Sequence, residues 1–179
     1  MNIPNIDKVV VRFSEEEILA KVAEMAEKIN KHYQDSGVLD VISLANGATL
    51  FTADLIRQIT VPMRLHTIKA SSYFNQIRSS GKVTVTSLNL EAFDEATNLL
   101  IIDDILDTGN TMQKLKDIFS EVGINNFKIC TLLNKQEARK RDISADFLGF
   151  EVANEFLLGY GLDYQGFYRN LRYIGVLQD

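Results

Sequence analysis

Residues 15–33 begin with three carboxylates, and Ile18, Val22, Met25, Ala26 and Ile29 then recur at helical spacing. The pattern predicts an amphipathic helix, with Ser14 placed to cap it and Glu15, Glu16 and Glu17 facing the positive end of its dipole. Residues 38–45 are apolar at most positions, as in a strand buried on both sides. Asn46-Gly47-Ala48 makes a tight loop into a second helix, predicted over 49–59. Residues 62–70 alternate and are strand-like. Residues 71–82 are polar, with Ser79-Ser80-Gly81 among them, and read as a loop; 83–88 alternate again as the return strand of a hairpin. At 98–104, four consecutive aliphatics (Leu99 to Ile102) run into two acids, which describes a central parallel strand delivering charge at its carboxyl end. Thr108-Gly109-Asn110-Thr111 opens a helix to about residue 122, and 126–133 form another buried strand. Aromatics and glycines are frequent from Asp146 onward. Strands alternating with helices predict an α/β domain with a mostly parallel sheet, whose ligands sit beyond the strand carboxyl ends.

Composition narrows the function classes. At 179 residues the chain is the length of one domain with a buried core. Its formal net charge of -5 argues against a general affinity for nucleic acid or an anionic membrane. The single cysteine, Cys130, allows no intrachain disulfide and no thiolate zinc cluster, and its apolar surroundings make it a buried strand residue. No basic-then-apolar leader pattern opens the sequence, and no apolar run approaches the roughly 18 residues that span a bilayer. A cytoplasmic protein without membrane contact is the expectation.

The chemistry concentrates in 99–112. A strand leaves the core and ends in adjacent carboxylates, Asp103 and Asp104; a third, Asp107, follows on the turn, and a Thr-Gly-x-Thr run opens the next helix. Backbone N–H groups at a helix start, beside the hydroxyls of Thr108 and Thr111, suit a monophosphate, and Gly109 leaves the anion room to approach. The acids repel that phosphate and suit hydroxyls, a metal ion or a proton instead. A phosphate site beside a diol or metal site points to a sugar phosphate. The alternative, a plain helix cap on an α/β scaffold, accounts for one acid and one threonine but not for the whole run. There is no P-loop run, and Gly159-Tyr160-Gly161 lacks the third glycine of a dinucleotide-binding turn. A receiver domain would carry its acid pair on the first strand, not on a central one.

Residues 101–112 resemble the phosphoribosyl-pyrophosphate motif of type I phosphoribosyltransferases. Ala53-Asp54-Leu55, Ser71-Ser72-Tyr73, residues 146–150 and residues 156–164 extend the resemblance to the hypoxanthine-guanine branch. It implies a type I phosphoribosyltransferase fold: one domain over 1–179, with a mostly parallel sheet flanked by helices and a small hood built from the N-terminal segment and about 147–173. It also implies purine salvage, in which phosphoribosyl pyrophosphate and a 6-oxopurine base react with Mg²⁺ to give a nucleoside 5-monophosphate. A homodimer or homotetramer is the implied assembly.

The same resemblance implies roles for single residues. Asp103 and Asp104 would hold the ribose hydroxyls and, with pyrophosphate, Mg²⁺; Asp107 would sit near N7 of the purine and act as general base or accept its hydrogen bond; and Thr108, Gly109, Asn110 and Thr111 would cradle the 5-phosphate. Lys135 would donate to the purine 6-oxo group, Phe156 would stack on the base and Leu157 would read its edge. Asp163 would serve the purine site and a second Mg²⁺, and Arg169 would contact pyrophosphate. Ser72 and Tyr73 would begin a closing loop, and Asn46-Gly47 would form the pyrophosphate loop, where the family often has a cis peptide. Two positions depart from the family pattern: Asp103 stands where glutamate is usual, and Asn46 where a cation is usual. Arg139, Lys140 and Arg141 read as a solvated face, and His32 and His66 receive no role. Two other functions fit the sequence: a nucleotide-sensing regulator that binds nucleic acid, and a transferase preferring xanthine.

Overall fold

A computed structural model describes residues 6–69, 93, 97–121 and 123–178. Helix α1 (Glu15–Tyr33) begins in a full capping box. The Ser14 hydroxyl accepts the Glu17 N–H at 3.2 Å, and the Glu17 carboxylate accepts the Ser14 N–H at 2.8 Å. Its buried face is the predicted set of Ile18, Val22, Met25, Ala26 and Ile29, extended by Tyr33.

Five strands form the main sheet: β2 (Leu39–Ala45), β3 (Met63–Lys69), β4 (Asn98–Leu106), β5 (Phe127–Asn134) and β6 (Phe147–Glu151). Their spatial order is β3-β2-β4-β5-β6, and every pairing is parallel. Alternate strand residues serve opposite faces. Val41, Leu100, Ile102 and Cys130 pack with α1 and α2 (Thr49–Ile56), while Ile42, Leu99, Ile101 and Ile129 pack with α3 (Asn110–Glu121). Because both faces are covered, these strands read as continuous apolar runs. A buried charge on the α3 face, Asp40, is met by Arg64 at 2.7 Å and by His66 at 2.9 Å. From β2 the chain steps outward to β3 and then returns to β4 on the other side. The strand order therefore reverses between β2 and β4, and the crevice at such a switch point is where open α/β sheets bind ligands.

A second sheet of three antiparallel strands has the order β1-β8-β7, with β1 (Val9–Phe13), β7 (Leu157–Leu158) and β8 (Ile174–Leu177). Its extent corrects the hood expected over about 147–173. Residues 147–151 belong to the main sheet as β6, because their backbone completes the open edge of β5, where Gly149 lies against the Leu132 carbonyl with no room for a Cβ. Residues 174–177 join the small sheet instead, bridging β1 and β7.

Two further boundaries shift. Helix α2 stops at Ile56 rather than 59, and α3 starts at Asn110 because Gly109 has φ +80°, outside the helical region. The loop and hairpin strand expected over 71–88 lie outside the described residues. No helix among the described residues is long and apolar enough to cross a membrane.

Candidate active site

Strand β4 carries Asp103 and Asp104 to its carboxyl end, where they line a cavity of about 410 Å³. The side chain of Asp103 accepts the Asp104 N–H at 3.1 Å. Burial pushes the Asp103 carboxyl well above the usual carboxylate range, and the Asp104 charge beside it adds to the rise. Asp104 is raised by burial too, against opposing hydrogen bonds from Asp103 and nearby backbone and against the positive charge of Arg169.

A carboxyl raised in this way binds its proton more tightly folded than unfolded. Its contribution to stability is complete below the ordinary carboxylate range and is lost as pH rises through the raised value. Asp103→Asn removes that loss while keeping an oxygen for the Asp104 N–H. The variant is expected to melt about 2–4 °C above wild type at pH 8, with the gain vanishing below about pH 4. Thermal scans at the two pH values check this; a variant less stable than wild type at pH 8 contradicts it.

Beyond β4 the chain turns through Asp107 and Thr108 into α3. Gly109 takes the left-handed conformation that swings the next residues into the helix, the Asn110 N–H donates to the Thr108 hydroxyl at 3.3 Å, and the Gln113 N–H closes on the Gly109 carbonyl at 2.9 Å. The start of α3 therefore faces the cavity that Thr108, Gly109, Asn110 and Thr111 line, and the N–H groups of a helix start are of the kind an anion can satisfy.

The opposite wall comes from the loop after β2. Its Ala45–Asn46 peptide is cis, within the loop where the resemblance implied that one often occurs. Gly47 lies so close to Asp104 that a Cβ would overlap the carboxylate, and a Cβ on Gly161 would overlap the Gly47 carbonyl. Two positions lacking Cβ thus let the loop slot between the strand end and the segment after β7. Gly161 also needs its freedom for φ +99°.

Arg169 comes from that same outer segment. Its guanidinium donates to the Gly161 carbonyl at 2.6 Å and pairs with an Asp163 oxygen at 2.6 Å. The other Asp163 oxygen accepts the Gly166 N–H at 2.6 Å. Arg169 and Asp163 both line the cavity, whereas Asn46 is exposed and does not. A guanidinium grips phosphate oxygens through a charged fork, while an amide offers neutral bonds of about half the strength. Arg169→Ala is accordingly expected to weaken pyrophosphate inhibition by about 2 kcal/mol or more, and Asn46→Ala to change it little. Inhibition constants for the two variants check the ranking, and the reverse order contradicts it.

Of the remaining candidates, Lys135, Leu157 and Phe156 do not line this cavity. Lys135 follows β5 and is half-buried, its N–H donating to the Leu106 carbonyl at 3.0 Å, so it stands at the same sheet edge as the acids. Leu157 is buried in β7. Phe156 is 52% exposed with Tyr164 edge-on at 5.6 Å, apart from the core rings Phe147 and Phe150. Ser72 and Tyr73 lie outside the described residues.

Arg139 corrects the sequence reading of 139–141 as a solvated face. Its side chain is turned inward onto carbonyls of the β4 turn, at 2.9 Å from Asp107 O and 3.1 Å from Leu106 O. Arg141 reaches Asn110 Oδ1 at 2.9 Å. In sequence these residues are a basic run like any on a surface.

The donor set suits Mg²⁺. Among the described residues no three His, Cys, Asp or Glu side chains form a ready-made metal cage. Mg²⁺ keeps much of its water and is commonly held by one or two carboxylates together with substrate phosphates, which is what Asp103 and Asp104 can offer beside the phosphate turn. Asp163 uses both oxygens in other contacts, each retaining a lone pair for a hydrated cation.

Comparison with known proteins agrees with this geometry. The profile of a family described as phosphoribosyl transferase domain matches residues 13–165. The hypoxanthine-guanine phosphoribosyltransferase of Bacillus subtilis (strain 168) is 44% identical over 174 residues, covering 97% of this chain and 94% of that one. The hypoxanthine phosphoribosyltransferase of Haemophilus influenzae is 37% identical over 167 residues, covering 92% and 93%. Among solved structures, a hypoxanthine-guanine phosphoribosyltransferase from Bacillus anthracis superposes with a TM-score of 0.80 at 36% identity, covering 94% of this chain and 98% of its own. A variant of the Trypanosoma cruzi hypoxanthine phosphoribosyltransferase, complexed with the product IMP, gives a TM-score of 0.83 at 32% identity, covering 98% and 94%.

Proposed function

The chain belongs to the phosphoribosyltransferase family, and from that premise we propose that it transfers the 5-phosphoribosyl group of phosphoribosyl pyrophosphate to N9 of hypoxanthine or guanine, releasing pyrophosphate. One observation carries the reading. A half-buried acid pair, the start of helix α3 and an arginine from the outer segment face one cavity at the switch point of a parallel sheet. The names of its relatives supply the bases.

In this reading Asp103 and Asp104 accept the ribose hydroxyls, and their charge stabilises the cationic ribosyl centre as the pyrophosphate bond breaks. The turn at 108–111 fixes the 5-phosphate, and Arg169 holds the departing pyrophosphate. Lys135 donates to the purine 6-oxo group, Phe156 stacks on the ring and Leu157 reads its edge through the backbone. Asp107 takes the purine proton as N9 forms its bond to the anomeric carbon. Mg²⁺, held by Asp103 and Asp104 with Asp163 at the pyrophosphate side, would neutralise pyrophosphate charge when bound.

The test is product formation. The protein with phosphoribosyl pyrophosphate, Mg²⁺ and either base should yield IMP or GMP and equimolar pyrophosphate. Turnover of xanthine alone would reassign the base, and no release of pyrophosphate with any 6-oxopurine would overturn the reading.

A further inference from the structure

We propose that Arg139 is a positioning residue for the reaction: its guanidinium ties the turn that carries Asp107 to the loop that carries Lys135, and so sets the separation of the two groups on either side of the purine. The proposal rests on the function proposed above.

Arg139 directs its donors at four acceptors. Nε bonds the Asp107 carbonyl at 2.9 Å, Nη2 bonds the Leu106 carbonyl at 3.1 Å and the Asn134 amide oxygen, and Nη1 bonds the Ile143 carbonyl. All four acceptors are neutral, so this is a geometric tie more than an ion pair. The Asn134 amide is itself oriented, because its nitrogen donates to both carboxylate oxygens of Glu151 at 2.9 Å. That leaves its oxygen for Arg139 and anchors the assembly in β6.

Backbone bonds run alongside. Lys135 N–H meets the Leu106 carbonyl and Lys140 N–H meets the Thr108 carbonyl, each at 3.0 Å. The two loops therefore lie against each other from Leu106 to Asn110, closely enough that a Cβ on Gly109 would sit 3.2 Å from the Arg139 side chain. Arg139 closes this seam at its centre. It reaches the carbonyl of Asp107 itself, and the carbonyl of Leu106 that also accepts from Lys135. A lysine at 139 would keep the charge, but one ammonium cannot reach acceptors arrayed around a planar fork.

The experiment compares wild type, Arg139→Lys and Arg139→Ala in steady-state turnover with guanine, alongside thermal melting and amide hydrogen exchange. A displacement of about 1 Å at reacting groups costs on the order of 10²-fold in rate. Both variants are expected to lose kcat by that factor while the KM for phosphoribosyl pyrophosphate rises by a smaller factor, since Asp103, Asp104 and Arg169 still line its side of the cavity when the 106–110 turn loosens. Added millimolar guanidinium is expected to restore part of the kcat of Arg139→Ala, and amides of 106–110 to exchange faster in Arg139→Lys. Turnover of Arg139→Lys within about threefold of wild type, or no response of Arg139→Ala to guanidinium, would overturn the proposal. If the wild type itself transfers no phosphoribosyl group, the function is misread. Exchange at 106–110 then decides alone, with faster exchange in Arg139→Lys upholding the tie and unchanged exchange refuting it.

Discussion

Adenine is expected to be used with a kcat/KM about 10⁴-fold below that of hypoxanthine or guanine. The reason lies at Lys135. Its backbone is held at the carboxyl end of β5 by the bond to the Leu106 carbonyl at 3.0 Å, which places the residue beside the acid-bearing end of β4. An ammonium has only donors to offer. A 6-oxo group accepts from it, whereas the 6-amino group of adenine sets donor against donor and leaves both half-desolvated without a partner. Sites built on such a polar pairing reject the mismatched base far more strongly than an apolar pocket rejects a change in size. A factor of 10⁴ corresponds to roughly 5.5 kcal/mol, within reach of one lost charge-assisted bond plus two unpaired polar groups. Parallel assays with adenine, hypoxanthine and guanine check the result. Comparable kcat/KM for adenine would remove Lys135 from the purine site.

Asp107→Asn is expected to lower kcat by about 10²–10⁴-fold while phosphoribosyl pyrophosphate still binds. Asp107 lies on the turn between the strand that carries the acid pair and helix α3, and it lines the same cavity. Its backbone is held from behind by Arg139 Nε at 2.9 Å, so an isosteric side chain leaves the turn in place. Asparagine keeps the volume and an acceptor oxygen but takes no proton, which isolates proton transfer from positioning. Calorimetric binding of phosphoribosyl pyrophosphate beside steady-state kcat separates the two roles. An unchanged kcat with weakened binding would make Asp107 a ligand for the sugar phosphate rather than a base.

The sequence by itself determined what depends on neighbours along the chain. Helix α1 was legible because Ser14 and Glu17 cap it locally and because apolar residues recur at its own period. The β4 strand and its acids were legible because four aliphatics against two carboxylates describe burial and its end within six residues. The α/β class followed from that alternation, and the sheet is parallel throughout. The tertiary structure alone decided pairings between distant segments. Strand β8 lies between β1 and β7, joining residues near both ends of the described chain, and no local pattern marks a strand's partner. Gly161 meets Gly47, and Tyr160 donates to Asp54 at 2.6 Å, across more than a hundred residues. Arg139 is the sharpest case. A basic run has the same composition on a wet surface as against a set of carbonyls. What turned this arginine inward was the register of β5 beside β4, which brought the acceptors on Leu106, Asp107 and Asn134 within reach of one guanidinium.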